Sequence, residues 1–340
     1  MLQACERAEK SIDLEQFIFV ADKIGEKFID VCARKAKEGV KVRFLWDAAG
    51  SFSFFGSSIV EDLKNKGIEL TFFKTLLPGL STFHDFRSWY FRNHRRTLVI
   101  DGKIGFTGSI CIHEYTEEWR DTHILLKGPV VEDMQKAFER MLDRAHGRHV
   151  PRRIPDKRDR EFEYITNTPL GRNRRLYNKI VEAIREAKEY IYISTPYFVP
   201  THRLARALRL AARRGVDVRI IIPEKSDHPI VDLGARTFFH HMLNTGVKIH
   251  LYQGKMLHGK TIAVDGKWAS AGTLNIDHIS LLYNFEANIV STNTTFADDI
   301  SSHFIRDLRN TKEVTYEAWK NRSWTEKIAV FFVKFIRSFL

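Results

Sequence analysis

The sequence predicts a two-lobed α/β protein in which strands alternate with helices. Three observations support this prediction: the length of the chain, an internal repeat of its helix and strand patterns, and a motif that occurs once in each half. A length of 340 residues suits two domains of about 150 residues each, and a hydrophobic share of 44% is enough for two packed cores.

Charge and cysteine content narrow the class of protein. With 54 Lys and Arg against 42 Asp and Glu, the net charge is +12, which predicts a polyanionic partner, either nucleic acid or an anionic membrane surface. The three cysteines lack metal-ligand spacing and predict free thiols in a reducing compartment, with no zinc site. The N-terminus lacks the apolar region of a signal peptide, and no run of about 18 apolar residues predicts a membrane-spanning helix.

An internal repeat organises the chain. In the first half, a strand within IDLEQFIFV is followed by the helix pattern GEKFIDVCARKAKEG and the strand pattern VKVRFLWD. The second half repeats this order in AKEYIYISTPYFVP, RLARALRLAARRG and VDVRIIIP. Gly39 and Gly215, which lie 176 residues apart, end the equivalent helices, as glycine commonly does. The repeat predicts a duplication with a pseudo-twofold relation between the lobes.

A linker is predicted between the halves, because the stretch HGRHVPRRIPDKRDREFEY breaks both periodicities and is rich in charge and proline. The boundary is expected near residue 155. The predicted units are an N-terminal lobe (1–155), a C-terminal lobe (156–322) and a C-terminal amphipathic segment (323–340).

The candidate chemistry lies in two matching segments, NHRRTLVIDGKIGFTGSIC (93–111) and LHGKTIAVDGKWASAGTLN (257–275). Both read His-x-basic-x4-Asp-Gly-Lys, with His94, Arg96 and Asp101 in the first and His258, Lys260 and Asp265 in the second. Side chains two apart on a strand point the same way, so each histidine and its basic residue are predicted to share one anion. Two imidazoles and two cations can supply a nucleophile, a proton donor and charge stabilisation for a reaction on an anion.

Further polar residues follow each histidine and its basic partner. The Asp-Gly pairs predict turns, and Asp101 and Asp265 are expected to support the motif backbone rather than to touch substrate. Ser109 and Thr273 each follow a glycine, so their hydroxyls, together with the Asn275 amide, are candidates for binding phosphate or substrate.

The double motif resembles that of the phospholipase D superfamily, whose signature is His-x-Lys-x4-Asp in each of two halves. The sequences of the segments EEWRDTH, TPYFVP and YNFEANI are most similar to those of bacterial cardiolipin synthases. This resemblance extends over almost the whole chain. It implies two pseudo-symmetric lobes, each a mixed β-sheet flanked by helices, with the active site at the lobe interface.

The resemblance also implies a reaction. Such an enzyme is a phosphatidyltransferase that joins two phosphatidylglycerol molecules into cardiolipin and glycerol through a phosphohistidine, without a metal or other cofactor. By analogy His94 is the nucleophile and His258 the general acid and then base, although pseudosymmetry leaves that order open. A carboxylate is needed to orient each histidine. Asp121 lies 27 residues after His94 and Glu286 lies 28 residues after His258, and both match downstream acids of the related enzymes.

Two residues depart from the family pattern. Arg96 stands where the family has lysine, and Cys111 stands where the second motif has Asn275. Arginine keeps the charge but is bulkier than lysine, and cysteine lacks an amide for hydrogen bonding. The departures predict a first half-site that is either tuned or partly impaired, which leaves open a slower enzyme or a changed acceptor.

Membrane contact is expected from apolar segments, with anionic phospholipid as partner and a peripheral location on the cytoplasmic side of a bacterial membrane. An amphipathic C-terminal helix either lies in the membrane interface or packs on the protein core. Its predicted apolar face consists of Trp324, Ile328, Phe331, Phe332, Phe335 and Phe339. The aromatic-rich insertion TFFKTLLPGLSTFHDFRSWYF and the pair Phe54 and Phe55 are further candidates for lipid contact, with burial as the alternative. Related enzymes often carry N-terminal membrane helices, whereas this sequence begins almost at the first helix of the repeat.

Other functions and ordinary structural roles remain as alternatives. The same site chemistry suits a phosphodiesterase that hydrolyses phospholipid or nucleic acid, and a degenerate site suits a membrane-binding scaffold. Outside the motifs, ordinary histidines are expected at His84, His123, His228 and His303. Arg95 and Lys267 are either phosphate binders or solvated strand ends, and the second interpretation is preferred. Helix packing is expected for Cys5 and Cys32.

Overall fold

The first lobe is built on a six-stranded mixed sheet. The computed structural model describes residues 1–54, 57–74, 91–150, 161–169 and 174–337. The strands of this sheet are β1 (Ser11–Gln16), β2 (Lys41–Asp47), β3 (Ile68–Phe73), β4 (Thr97–Ile100), β5 (Ile104–Gly108) and β6 (His123–Lys127). Their spatial order is β3-β2-β1-β4-β5-β6, in which the first three strands are parallel and the rest pair antiparallel.

The second lobe repeats this topology and adds a strand at each edge. Its strands are β7 (Phe162–Asn167), β8 (Tyr190–Ser194), β9 (Asp217–Pro223), β10 (Lys248–Tyr252), β11 (Thr261–Val264), β12 (Trp268–Gly272), β13 (Glu286–Ser291) and β14 (Thr311–Val314). The order is β14-β10-β9-β8-β11-β12-β13-β7, and β8, β9 and β10 are again parallel. The predicted fold class, two similar lobes with mixed sheets, is therefore confirmed.

Helices flank both sheets. Those before residue 150 are α1 (Leu2–Glu6), α2 (Lys23–Lys37), α3 (Ile59–Asn65) and α4 (Val130–Ala145). The later ones are α5 (Arg175–Glu186), α6 (His202–Arg213), α7 (Pro229–Leu243), α8 (His278–Leu282), α9 (Thr294–Leu308), α10 (Tyr316–Lys320) and α11 (Trp324–Ile336). Short 3₁₀ turns occur at Phe52–Phe54 and Glu114–Thr116. In the described part of the chain, no helix is both long enough and apolar enough to cross a membrane.

Local sequence signals explain the equivalent helices α2 and α6. The Asp22 carboxylate caps α2 by accepting from the backbone N–H of Ile24 and Gly25, each at 3.0 Å. Thr201 caps α6 in the same way. Past their C-termini, Gly39 and Gly215 have φ values of +89° and +92°, a backbone conformation that glycine adopts without strain.

Helix α4 joins the cores of the two lobes. Phe138 and Met141 pack with Leu45 and Phe73 of the first sheet and with Phe285 of the second lobe. On an adjoining surface of α4, Met134 belongs to a cluster that includes residues from β4, β7 and β13. The lobes are thus held together by apolar burial next to the segments that carry the motif histidines.

Two expectations about apolar segments can be compared with the fold. Phe54 is buried in the first-lobe core, where its ring packs against Phe19 and Trp46, so its candidacy for lipid contact is wrong. Phe55 lies outside the described residues, as do most of the aromatic insertion and the predicted lobe boundary near residue 155. Cys5 and Cys32 are buried in the same core as free thiols.

Truncating the lobe-bridging side chain provides a test of this packing. Phe138→Ala is expected to lower the free energy of unfolding by about 3–5 kcal/mol, because it leaves a cavity where α4 meets both lobes. Urea unfolding followed by circular dichroism measures the change. The matched control, Leu125→Ala at an exposed position, should stay within about 0.5 kcal/mol. Equal losses in the two variants would contradict the bridging role.

Candidate active site

Both motif histidines lie just before a strand rather than on it. Strands β4 and β11 begin at Thr97 and Thr261, three residues after His94 and His258 respectively. The expectation that each histidine and its basic residue lie on a strand is therefore wrong. Each histidine is instead placed by a one-residue parallel bridge to the other lobe.

These two bridges are related by the pseudo-twofold axis. Asn93 bridges to Phe285, and the His94 N–H donates to the Phe285 carbonyl at 3.0 Å. Correspondingly, Leu257 bridges to Arg120, and the His258 N–H donates to the Arg120 carbonyl at 2.8 Å. The residue that follows each bridge partner is Glu286 in one case and Asp121 in the other.

As a result, each histidine is paired with the carboxylate of the opposite lobe. His94 Nδ1 lies 2.9 Å and 3.1 Å from the two Glu286 oxygens, and His258 Nδ1 lies 2.8 Å from Asp121 Oδ2. Sequence spacing pairs Asp121 with His94 and Glu286 with His258, since each acid follows that histidine in its own half. The structure shows the opposite pairing, so this expectation is wrong. With Nδ1–H donated to a carboxylate, each Nε2 is left to act on substrate.

The hydroxyls expected to bind phosphate contact the two carboxylates. Thr273 Oγ1 donates to Glu286 Oε2 at 2.5 Å, and Ser109 Oγ donates to Asp121 Oδ1. Both hydroxyl residues are fully buried. Asn275 is also buried, and its Oδ1 has no hydrogen-bond partner among the described residues, so that oxygen is an open acceptor.

The basic residues of the two motifs differ in what they contact. Lys260 Nζ donates to the His258 carbonyl at 2.7 Å. Arg96 reaches further: Nη1 donates to the His94 carbonyl at 3.2 Å, and Nη2 lies 3.2 Å from His94 Nε2. The Arg96 Nε donates to Cys111 Sγ at 3.3 Å. Since a guanidinium only donates hydrogen bonds, the His94 Nε2 it faces is an unprotonated acceptor.

Burial and charge set the pKa values of both histidines below the usual range. Burial, then the charges of Arg96 and Lys260, hold the pKa of His94 well below 6.5. For His258, burial and Lys260 lower the pKa to about 4 against the opposing charge of Asp121. Burial also lowers the pKa of Lys260 to about 7.

The two carboxyl groups shift in opposite directions. Burial raises the pKa of Glu286 to about 8, against smaller opposing effects from Thr273 and Arg96. Burial also acts to raise the pKa of Asp121, but His258, Lys260 and Ser109 outweigh it and hold the value below 3.8. The His258–Asp121 pair therefore carries an ionised carboxylate, while burial disfavours ionisation in the His94–Glu286 pair.

A buried polar layer holds the backbone before His94. The Asp47 carboxylate at the end of β2 accepts from the Asn93 N–H at 2.8 Å, and the Asn93 amide donates to Glu15 at 2.8 Å. Arg95 lies 4.0 Å from Glu15 and is only 4% exposed. The interpretation of Arg95 as a solvated strand end is therefore wrong.

The motif aspartates attach each motif turn to the start of a neighbouring strand. Asp101 accepts the backbone N–H of Lys10 at 2.7 Å and of Ser11 at 2.9 Å, where β1 begins. In the second lobe, Asp265 accepts from Glu189 and Tyr190 at 2.9 Å and 2.8 Å. Both aspartates have a positive φ, near +54° and +52°, in the left-handed region.

Sequence reasoning missed the aromatic walls of the site. The Phe17 ring meets the His94 ring edge-to-face at 4.9 Å between centroids, and the Trp119 ring lies 5.0 Å from that of His258. Trp119 belongs to EEWRDTH, and its position two residues before Asp121 is the signal that could have identified it. His123, expected to be ordinary, has both ring nitrogens buried, and burial lowers its pKa to about 4.

A groove of about 470 Å³ lies beside His258 at the lobe interface. It is lined by Glu114, Tyr115, Glu117, Glu118, Trp119, Lys225, Ser226, Asp227, Lys255 and Met256. Tyr197 donates to Asp227 at 2.6 Å behind it. Within the described ranges, no group of three or more His, Cys, Asp or Glu side chains is arranged to hold a metal ion.

Comparison with known proteins agrees with this fold. The family model described as cardiolipin synthase, PLD-like domain, matches residues 1–142 and 180–308. A cardiolipin synthase of Clostridium perfringens is 34% identical, with 99% of this chain and 73% of that protein aligned. One from Halalkalibacterium halodurans is 35% identical, with 96% and 67% aligned. The structure of phosphatidylserine synthase from Haemophilus influenzae superposes with a TM-score of 0.75 at 13% identity over all of this chain and 92% of that one.

The two lobes and paired motifs define a protein of the phospholipase D superfamily. Within that superfamily, the chain belongs to the family of cardiolipin synthases with a phospholipase D-like domain. The resemblance inferred from the motifs is confirmed.

Removing the two carboxyl groups should change stability in opposite directions. Glu286→Gln is expected to raise the free energy of unfolding at about pH 7.5. The folded pKa of Glu286, about 8, exceeds 4.5, so wild-type stability falls as pH rises between these values. Asp121→Asn is expected to lower the free energy of unfolding. The ionised Asp121, whose folded pKa lies below 3.8, stabilises the folded state at neutral pH, and the amide lacks this effect.

Urea unfolding of both variants at about pH 5 and pH 7.5 measures these changes. The Glu286→Gln gain should shrink at the lower pH, where the unfolded state also approaches protonation. A loss of stability in Glu286→Gln at the higher pH would contradict the buried, weakly acidic state of this carboxyl.

Arg96 and Cys111 should behave as a coupled pair. Arg96→Lys removes the donor to Cys111 Sγ, and Cys111→Asn places a larger side chain against the guanidinium. Each single variant is expected to lose activity, and the double variant, which recreates the Lys260 and Asn275 pair, should recover about tenfold relative to the product of the single losses. The initial rates of the wild type, the two single variants and the double variant form a double-mutant cycle. If the loss in the double variant equals the product of the single losses, the two positions are not coupled.

Proposed function

We propose that the chain is a cardiolipin synthase that transfers a phosphatidyl group from one phosphatidylglycerol to another and releases glycerol. The observation that carries this proposal is the pair of histidines, each hydrogen-bonded to a buried carboxylate of the opposite lobe. The cardiolipin synthases to which the chain is 34–35% identical support the choice of lipid substrates. The net charge of +12 suits anionic lipids.

In the first step, His94 Nε2 attacks the phosphorus of the first phosphatidylglycerol. A P–N bond forms, the bond from phosphorus to the glycerol oxygen breaks, and His258 gives its proton to that oxygen. In the second step, His258 takes the proton of a hydroxyl on the second phosphatidylglycerol. That oxygen then attacks phosphorus, and the P–N bond breaks to restore His94.

The electrostatic difference between the half-sites supports this order. A nucleophile must keep its lone pair, and Arg96 and Lys260 both disfavour a proton on His94. A general acid must hold a proton, and the ionised Asp121 opposes its loss from His258. The negative phosphodiester favours protonation of His258 and Lys260 once substrate is bound.

The remaining polar residues have supporting roles in this proposal. Arg96 and Lys260 stabilise the charge on the nonbridging phosphoryl oxygens. Ser109 and Thr273 position the carboxylates, while Asn275 Oδ1 can accept a hydrogen bond from a substrate hydroxyl. Asp101 and Asp265 support the motif turns.

The groove beside His258 suits the alcohol that leaves or enters. The oxygen that exchanges a proton with His258 must lie on the His258 side of the phosphorus. The groove lies on the His258 side, because Trp119 lines the groove and its ring also contacts the His258 ring. Its acidic side chains can accept hydrogen bonds from glycerol hydroxyls.

The cellular location is proposed as the cytoplasmic face of a bacterial membrane, with peripheral attachment. Free buried cysteines suit a reducing compartment, and the relatives named above are bacterial.

Product analysis and trapping of the intermediate test the reaction together. Wild-type protein incubated with phosphatidylglycerol vesicles in EDTA should form cardiolipin and glycerol. His94→Ala and His258→Ala should reduce the rate by at least about 10³-fold. After rapid quenching, peptide mass spectrometry should find the phosphatidyl adduct on His94.

His149→Ala, which removes an exposed histidine outside the groove, is the matched control and should keep wild-type activity. Phosphatidic acid as the main product would show a hydrolase instead of a transferase. An adduct on His258 would reverse the assigned order of the two histidines.

A further inference from the structure

Helix α11 packs on its own lobe with only one of its faces. Val330 belongs to the second-lobe core, and Val333 is also buried. Glu326 forms an ion pair with Arg236 of α7, and the Arg337 guanidinium lies 4.8 Å above the Phe238 ring. These contacts fix the orientation of the helix on the protein.

The opposite face of α11 is apolar and exposed. Trp324, Phe332 and Phe335 are 71%, 66% and 68% exposed, and Phe331 is 58% exposed. Spacings of three and four residues place Trp324, Ile328, Phe331 and Phe335 in one row along the helix. Of the 13 large hydrophobic side chains that are exposed in the described ranges, six lie on this helix. Such concentration marks an interaction surface rather than scattered surface residues.

Positive charge borders this apolar face. Lys327 and Lys334 are exposed on one flank of the helix. Burial, and then the charges of His240, Arg209, Lys334 and Arg337, lower the pKa of the neighbouring His241. The acidic Glu326 is turned toward the protein and paired with Arg236.

We propose that the outer face of α11, formed by Trp324, Ile328, Phe331, Phe332 and Phe335, inserts into the interface of an anionic phospholipid bilayer. A 13-residue helix is about 20 Å long and lies along the membrane plane, with its rings among the acyl chains and its lysines at the lipid phosphates. A second copy of the chain fits less well, because an isologous contact would bring Lys327 and Lys334 toward their own counterparts.

The position of α11 links this surface to the active site. Helix α7, on which α11 packs, begins two residues after Asp227 of the groove beside His258. The groove residue Asp227 and the lipid-binding helix α11 therefore belong to the same lobe and are connected through α7. This surface extends the proposed function, on which it rests for its lipid partner. Its binding to lipid can be measured without any catalytic reaction.

Vesicle binding by variants of the 340-residue chain tests the surface. Phe331→Gln combined with Phe335→Gln is expected to weaken co-sedimentation with vesicles of phosphatidylglycerol and phosphatidylcholine at least tenfold. Gln favours helix, so α11 and the fold should persist, which circular dichroism and thermal melting check. Leu125→Gln combined with Ile305→Gln removes two exposed apolar side chains elsewhere and should leave binding unchanged.

Two further measurements separate electrostatic, apolar and catalytic contributions. Lys327→Glu combined with Lys334→Glu should weaken binding to phosphatidylglycerol vesicles and have little effect with phosphatidylcholine alone. His94→Ala should bind vesicles as wild type does, so a failure of the proposed reaction leaves this inference standing.

Unchanged vesicle binding in the Phe331 and Phe335 double variant would overturn the proposal. A dimer in sedimentation velocity that this variant abolishes, with vesicle binding intact, would assign the face to a second copy instead.

Discussion

The structure depends on one constraint, the exchange of hydrogen-bonding partners between the lobes at two short backbone bridges. Each bridge uses a single residue pair, Asn93 with Phe285 and Leu257 with Arg120. Because Glu286 and Asp121 follow the bridged residues directly, the bridges bring both carboxylates to the histidines of the other lobe. Neither lobe alone holds a motif histidine together with the carboxylate that orients it.

Much of the surrounding architecture supports this junction. Helix α4 packs against both lobes and fixes their separation through apolar contacts. Asp47 and Glu15 hold the backbone before His94, and the motif aspartates attach the turns after the motif histidines to β1 and β8. Buried polar groups of this kind are costly unless satisfied, so their hydrogen bonds leave the motif segments little freedom to move.

The duplicated site is symmetric in geometry and asymmetric in electrostatics. Both histidines use Nδ1 toward a carboxylate, and both carboxylates accept from a hydroxyl. Yet burial raises the pKa of Glu286, whereas His258, Lys260 and Ser109 hold the pKa of Asp121 below its usual value against the effect of burial. Arg96 also contacts the histidine ring, whereas Lys260 donates to a backbone carbonyl. A reaction with a nucleophile and an acid needs such a difference, because the two histidines must hold different protonation states at the same moment.

By itself, the sequence determined the duplicated α/β fold, the family, and the residues of the paired motifs. These follow from local periodicity and from residue types at short spacings, which do not depend on how the halves meet. Only the tertiary structure decided which acid serves which histidine, because that pairing crosses more than 130 residues of chain through backbone bridges that carry no side-chain signal. Burial was decided in the same way: Arg95 and Phe54 are inside and the rings of α11 are outside, since an amphipathic pattern shows that a face exists but not what covers it.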